Sequence, residues 1–182
     1  IYQNYKYVFR NYYHSSFLQS AQYVPLLTKQ QRKLHEFRSN NPILPSSKRE
    51  HWCIFSGRVT YNHLRSIESI FHQERNELLR LITQSSSSVS SPESQISSIS
   101  QCRAYYNDNG TDGHQHTFSE YVAILSQTVF TPCPAGNNPE TFRHYEALEL
   151  GSIPLIIRQQ SDYDFLTEWK GYPGPIFENW ED

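Results

Sequence analysis

The sequence predicts an α/β fold, with one parallel sheet carrying helices on both faces. Short apolar strand-like runs alternate with helical patterns along most of the chain. The junctions between them have strand–turn–helix composition, most clearly the Pro-Ala-Gly-Asn-Asn-Pro of residues 134–139. At 182 residues the chain can bury one sizeable core but not two full α/β lobes, so residues 1–182 read as a single lobe.

Taken in order, residues 5–13 (YKYVFRNYY) are aromatic and β-branched and read as a strand. Residues 22–27 read as a second, ended by Pro25. Residues 29–50 are polar and read as loop with a helical turn, followed by a buried-strand run over 51–59 (HWCIFSGRV). A helix is expected over 61–83, because Leu64, Ile67, Ile70, Phe71, Leu78, Leu79 and Ile82 recur at helical spacing around charged positions. Residues 84–100 hold ten serines in seventeen positions. Such a tract buries too little apolar surface to offset its ordering entropy and reads as a flexible surface insertion. A strand follows at 102–106, then a helix over 117–128 with Thr117 or Ser119 as its N-cap. Next come a strand at 129–133 and a helix over 140–150, with Pro139 in its first turn and Gly151 past its end. A strand at 152–157, a helix at 161–169 and a final strand at 175–180 complete the alternation.

Composition excludes several classes. The formal charge is −2, with 16 basic against 18 acidic residues, so a non-specific nucleic-acid binder is not expected. No apolar run approaches a membrane span. The chain starts at Ile1 without a methionine and reads as a fragment, whose anchor or signal would lie upstream. Cys53, Cys102 and Cys133 lack a CxxC spacing, which argues against a zinc site and against a disulfide framework. Cys53 and Cys133, set in apolar runs, read as buried small hydrophobes. Asn109-Gly110-Thr111 forms a glycosylation sequon, and His114-x-His116 lacks the further ligands a metal would need.

Ligands of open parallel sheets bind beyond the carboxyl ends of strands, where helix N-termini point outward. Two junctions have suitable composition: Ser56-Gly57 leading toward Arg65, and the turn from Pro134 into the next helix. At the second, Gly136 permits close backbone approach, and the free amides of the first helical turn favour an anion. Arg143 could add a bidentate contact to a diphosphate, and the Glu146 carboxylate could accept ribose hydroxyls. Each feature also has a plain structural reading. The turn could be punctuation, Arg143 and Glu146 an exposed i,i+3 ion pair, and Arg65 a solvated helix residue.

Read together, FTPCPAGNNPETFRHYEALELGSIPLII (130–157) resembles the C-terminal signature of the exostosin-like glycosyltransferases. The match rests on Pro134, Gly136, Arg143, Glu146-Ala147, Gly151 and Ile153-Pro154, and its form is most similar to the ribitol xylosyltransferase branch. WCIFSGRVTYNHLR (52–65) and PIFENWED (175–182) resemble further stretches of that family. The resemblance implies the Rossmann-like, donor-binding C-terminal lobe of a GT-B glycosyltransferase, with the N-terminal acceptor lobe of the same chain missing from this sequence. It implies inverting transfer from a UDP-sugar to a glycan or glycoprotein acceptor. No cofactor and no metal are expected, the UDP-sugar serving as co-substrate. Gly136, Asn137, Asn138, Glu140 and Thr141 would meet the diphosphate, Arg143 and Arg65 would neutralise it, and Glu146 would hold the ribose. Ser56 and Gly57 would line the cleft. For a eukaryotic source the resemblance suggests the Golgi lumen, as part of a type II membrane protein whose segment seen here is soluble. A non-catalytic nucleotide-binding or scaffolding relative of the same fold is the alternative. An unrelated Rossmann-like enzyme would need a P-loop or a carboxylate metal cluster, and the sequence shows neither.

Overall fold

The computed structural model describes residues 9–10, 22–23, 30–58, 70–87, 101–107, 116–136, 140–158, 172 and 174–181. Two short strands, β1 (Phe9–Arg10) and β2 (Gln22–Tyr23), pair in parallel by themselves. The main sheet is built from β3 (His51–Arg58), β4 (Cys102–Asn107), β5 (Thr128–Pro132), β6 (Ile153–Ile157) and β7 (Ile176–Phe177). All its pairings are parallel, in the order β4-β3-β5-β6-β7. With α1 (Gln31–Asn40), α2 (Ile70–Ser87), α3 (Phe118–Ser126) and α4 (Phe142–Glu149), this is the expected Rossmann-like α/β arrangement.

Both faces of the sheet are covered, which a parallel sheet requires. Along β3 the alternate sets Cys53/Phe55 and Ile54/Ser56 are all buried. On one face α2 packs Leu78, Leu79 and Ile82 against Cys53, Phe55, Cys102 and Ile157, with Trp180 closing the cluster. A second cluster joins α1, α3 and the end of α4 through Leu34, Val122, Leu125 and Leu150.

The helix ends follow local chemistry. Thr117 and Glu120 form a reciprocal capping box that starts α3. Helix α4 ends in a left-handed turn at Gly151 (φ 72°), where Ser152 N–H donates to Ala147 O (2.9 Å) and Gly151 N–H to Leu148 O (3.0 Å). That is the Schellman pattern, and it places Gly151 where the sequence indicated.

Several sequence expectations are corrected. Residues 31–40 form a full helix rather than a loop with a turn; it buries Leu34, and Arg38 ties it to Glu149 of α4 at 2.5 Å. One buried side chain in ten residues leaves too faint a period to read. Helix α2 runs on to Ser87, so the first serines of the tract are helical, while residues 88–100 lie outside the described set. The final strand shrinks to Ile176–Phe177, and Trp180 turns inward beyond it. The expected helix at 161–169 lies outside the described residues. The expectation of no disulfide fails. Cys53 and Cys102 are direct partners in the β3–β4 register, with Cα atoms 4.4 Å apart, and are bonded. Cys133 remains a buried free thiol, as read from the sequence.

Candidate functional site

In chain order the five main strands run 2-1-3-4-5 across the sheet, so the winding direction reverses between β3 and β5. Connections leave that point toward opposite sides, opening a crevice at the carboxyl ends of the two strands. Ser56 and Gly57 end β3 there, and Cys133, Pro134, Ala135 and Gly136 follow β5. Both sequence-predicted junctions therefore meet at one place.

Helix α4 delivers its N-terminus to the same crevice. Thr141 is its N-cap, and the buried His144 ring braces it: the Thr141 N–H donates to His144 Nδ1 at 3.1 Å. Burial pushes His144 down to about pKa 3, so the imidazole is a neutral acceptor at ordinary pH. Arg143 reaches from this turn to the end of β3, donating from Nη2 to Ser56 O at 2.8 Å. Its guanidinium lies over the Phe55 ring, 4.8 Å from the centroid. A Cβ on Gly57 would meet the guanidinium as it lies, so glycine is what leaves Arg143 this place.

A second arginine does the converse. Arg75 of α2, the helix after β3, donates from Nε to Ala135 O at 2.7 Å. Its neighbour Glu74 accepts the Ala135 N–H at 3.2 Å. The space beside Gly136, expected to admit a ligand, is taken by Arg75, whose Nη2 would lie 2.9 Å from a Cβ placed there. Gly136 has no positive φ, so close packing against Arg75 is what requires it. Arg75 is buried and was not singled out from the sequence, where a lone arginine on a polar helix carries no signal.

The remaining candidates divide. Glu140 is buried and accepts a hydrogen bond from the Tyr145 hydroxyl. Glu146 accepts from the Tyr121 hydroxyl of α3 at 2.8 Å. Burial and the Glu146 charge hold Tyr121 well above its ordinary pKa, so it stays a donor. Burial likewise pushes the Cys133 thiol beside them up to about 12, which leaves it unreactive. Arg65, Asn137 and Asn138 lie outside the described residues. Among the described residues no group of three or more His, Cys, Asp or Glu side chains comes together to hold a metal. No helix among them is long and apolar enough to cross a membrane.

This crevice, with its helix N-terminus and arginine, falls inside a stretch, residues 31–167, that matches the RXYLT1 C-terminal domain. The chain belongs to the RXYLT1 C-terminal domain family. That membership fits the C-terminal lobe of an exostosin-like ribitol xylosyltransferase and makes the chain a relative of glycosyltransferases. The block at 130–157, which carries the sequence resemblance, lies wholly within the RXYLT1 match. No curated protein matches this chain.

Proposed function

We propose that the β3–β5 crevice binds the UDP-sugar donor of an inverting, metal-independent glycosyltransferase. The observation that carries this reading is Arg143. Its guanidinium is fixed across the end of β3 in the same helical turn that presents α4's N-terminal amides. A preorganised cation beside a helix N-terminus stabilises the negative charge that builds on a departing diphosphate.

In this reading Asn137, Asn138 and Thr141 meet the diphosphate, with Gly136 packed on Arg75 and Glu140 held by Tyr145. Arg143 and Arg65 neutralise the phosphates, Glu146 accepts the ribose hydroxyls, and Ser56 and Gly57 line the cleft. The acceptor hydroxyl oxygen bonds to the anomeric carbon as the bond from that carbon to the diphosphate breaks. UDP leaves with the electron pair. The hydroxyl proton passes to a base on the N-terminal acceptor lobe or the cleft rim. The acceptor is a glycan or glycoprotein, and no cofactor takes part. Golgi-lumenal placement in a type II membrane protein agrees with the Cys53–Cys102 disulfide, which persists in oxidising compartments.

Calorimetric titration of the full-length protein with UDP tests this. Wild type is expected to bind, Arg143→Ala to weaken binding by about 30-fold or more, and Glu146→Ala by about tenfold. Undetectable UDP binding by wild type, or wild-type affinity kept by both variants, overturns it.

A further inference from the structure

We propose that Tyr121 is a positioning residue for the donor, holding the Glu146 carboxylate so that the crevice reads a ribonucleotide. The inference rests on the donor-site reading above and deepens it. A glutamate has three side-chain torsions, and a carboxylate that must accept two vicinal hydroxyls gains affinity if its plane is fixed beforehand. The fixing group is a phenol: the Tyr121 hydroxyl donates to Glu146 Oε2 at 2.8 Å, from a different helix.

The phenol is itself held. The Thr117–Glu120 capping box fixes the first turn of α3, and Tyr121 follows directly after it. The ring packs against the cluster of Leu34, Val122, Leu125 and Leu150, with the Phe118 ring centroid at 6.3 Å. That packing limits the torsion of the ring that carries the hydroxyl. Glu146 lies one turn along α4 from Arg143, the residue proposed to bind the phosphates. A nucleotide whose diphosphate meets Arg143 brings its sugar, rather than its base, to Glu146.

A tyrosine–glutamate bond between two helices could also be a stability contact alone, and the two roles differ in ligand selectivity. Full-length wild type and Tyr121→Phe would be titrated with UDP, 2′-deoxy-UDP and inorganic pyrophosphate, alongside thermal melting. The phenylalanine keeps the ring and removes one oxygen. We expect UDP to weaken by about tenfold, with pyrophosphate unchanged within about twofold, and the preference for UDP over its deoxy analogue to shrink. Glu146→Asp keeps the charge but draws the carboxylate away from Tyr121; it should show the same selective loss even if the phenylalanine variant folds poorly. Equal loss for UDP and pyrophosphate in Tyr121→Phe, or its UDP affinity unchanged, overturns the positioning role while the donor site stands; unchanged UDP affinity in Glu146→Asp overturns the positioning role and the ribose contact of Glu146 together. No UDP binding by wild type overturns both.

Discussion

The Arg143 guanidinium occupies the place where a side chain on Gly57 would have to begin. Arg75 stands in the same relation to Gly136. The two pairs are crossed: the helix that follows β3 holds the loop after β5, and the helix that follows β5 holds the end of β3. Each glycine is thus explained by an internal arginine, and the two strand ends at the winding reversal are locked to each other. Rigidity of this kind is what a site built for charge stabilisation needs, because donors already in place cost no reorganisation when charge develops.

Gly57→Ala should separate binding from folding. The atom that an added Cβ meets is the far end of a flexible side chain, so Arg143 can swing away at a stability cost within about 1 kcal/mol. Swinging away removes the Ser56 contact and the cation from the crevice. UDP affinity is expected to fall by about 10- to 30-fold, approaching the Arg143→Ala value, while the melting temperature falls by no more than about 4 °C. Calorimetry and melting on the same sample decide it. A large stability loss with full affinity would show that Gly57, not Arg143, yields.

How much of this was legible beforehand depended on whether the signal was local. The Schellman glycine at 151, the α3 cap at Thr117 and the alternation of strands and helices are written in a few consecutive residues, and they were found where expected. The positions that were missed are defined by partners far along the chain. Arg75 meets Ala135 across 60 positions, Tyr121 meets Glu146 across 25, and Cys53 meets Cys102 across 49. Strand register brings the two cysteines together, and sequence spacing carries no register across a helical crossover. The junction's composition and the resemblance both pointed to Arg143 and Glu146, but neither gave the Gly57 contact or the tyrosine.

At the opposite end of the sheet Arg49 is a brace without a ligand role. Its guanidinium donates to Leu44 O (3.0 Å), Thr128 O (2.7 Å) and Leu150 O (3.2 Å), joining the start of β5 to the end of α4. Thr128 and Leu150 are buried, so removing the donor leaves their carbonyls short of a partner. Arg49→Ala should lower stability by about 2–4 kcal/mol, seen as a lower urea midpoint at constant slope. A lysine cannot span three acceptors and should recover only part of this. UDP affinity of the folded variant should match wild type.

His144 predicts a direction for acid sensitivity. Burial holds its folded pKa at about 3, well below the ordinary value of 6.5. Between those values the unfolded chain takes up a proton that the folded chain refuses. This contribution is therefore complete above about pH 6.5 and is lost as the pH falls toward 3, at up to ~1.4 kcal/mol per unit. In urea unfolding at pH 7.5, 6 and 5, wild type should weaken more steeply than His144→Asn, whose side chain can still accept the Thr141 N–H. Parallel slopes would mean that His144 titrates alike in both states.

The Cys53–Cys102 bridge can be tested by counting thiols. Both cysteines are buried, and the bond joins β3 to the edge strand β4 across the α2 crossover. Cys133 is the one free thiol, buried just past the end of β5 with its pKa pushed up by burial to about 12. Alkylation of the native protein should therefore be slow everywhere. After unfolding without reductant one of the three cysteines should react, and after reduction all three. Closing a loop of 49 positions removes enough unfolded-state freedom to stabilise the fold by about 4 kcal/mol in the chain-entropy account. Replacing both cysteines by alanine should lower the unfolding free energy by about 2–4 kcal/mol, since some of that gain is offset by residual order in the unfolded chain. Three reactive thiols in the unreduced, unfolded protein would show that β3 and β4 are held by backbone hydrogen bonds and packing alone.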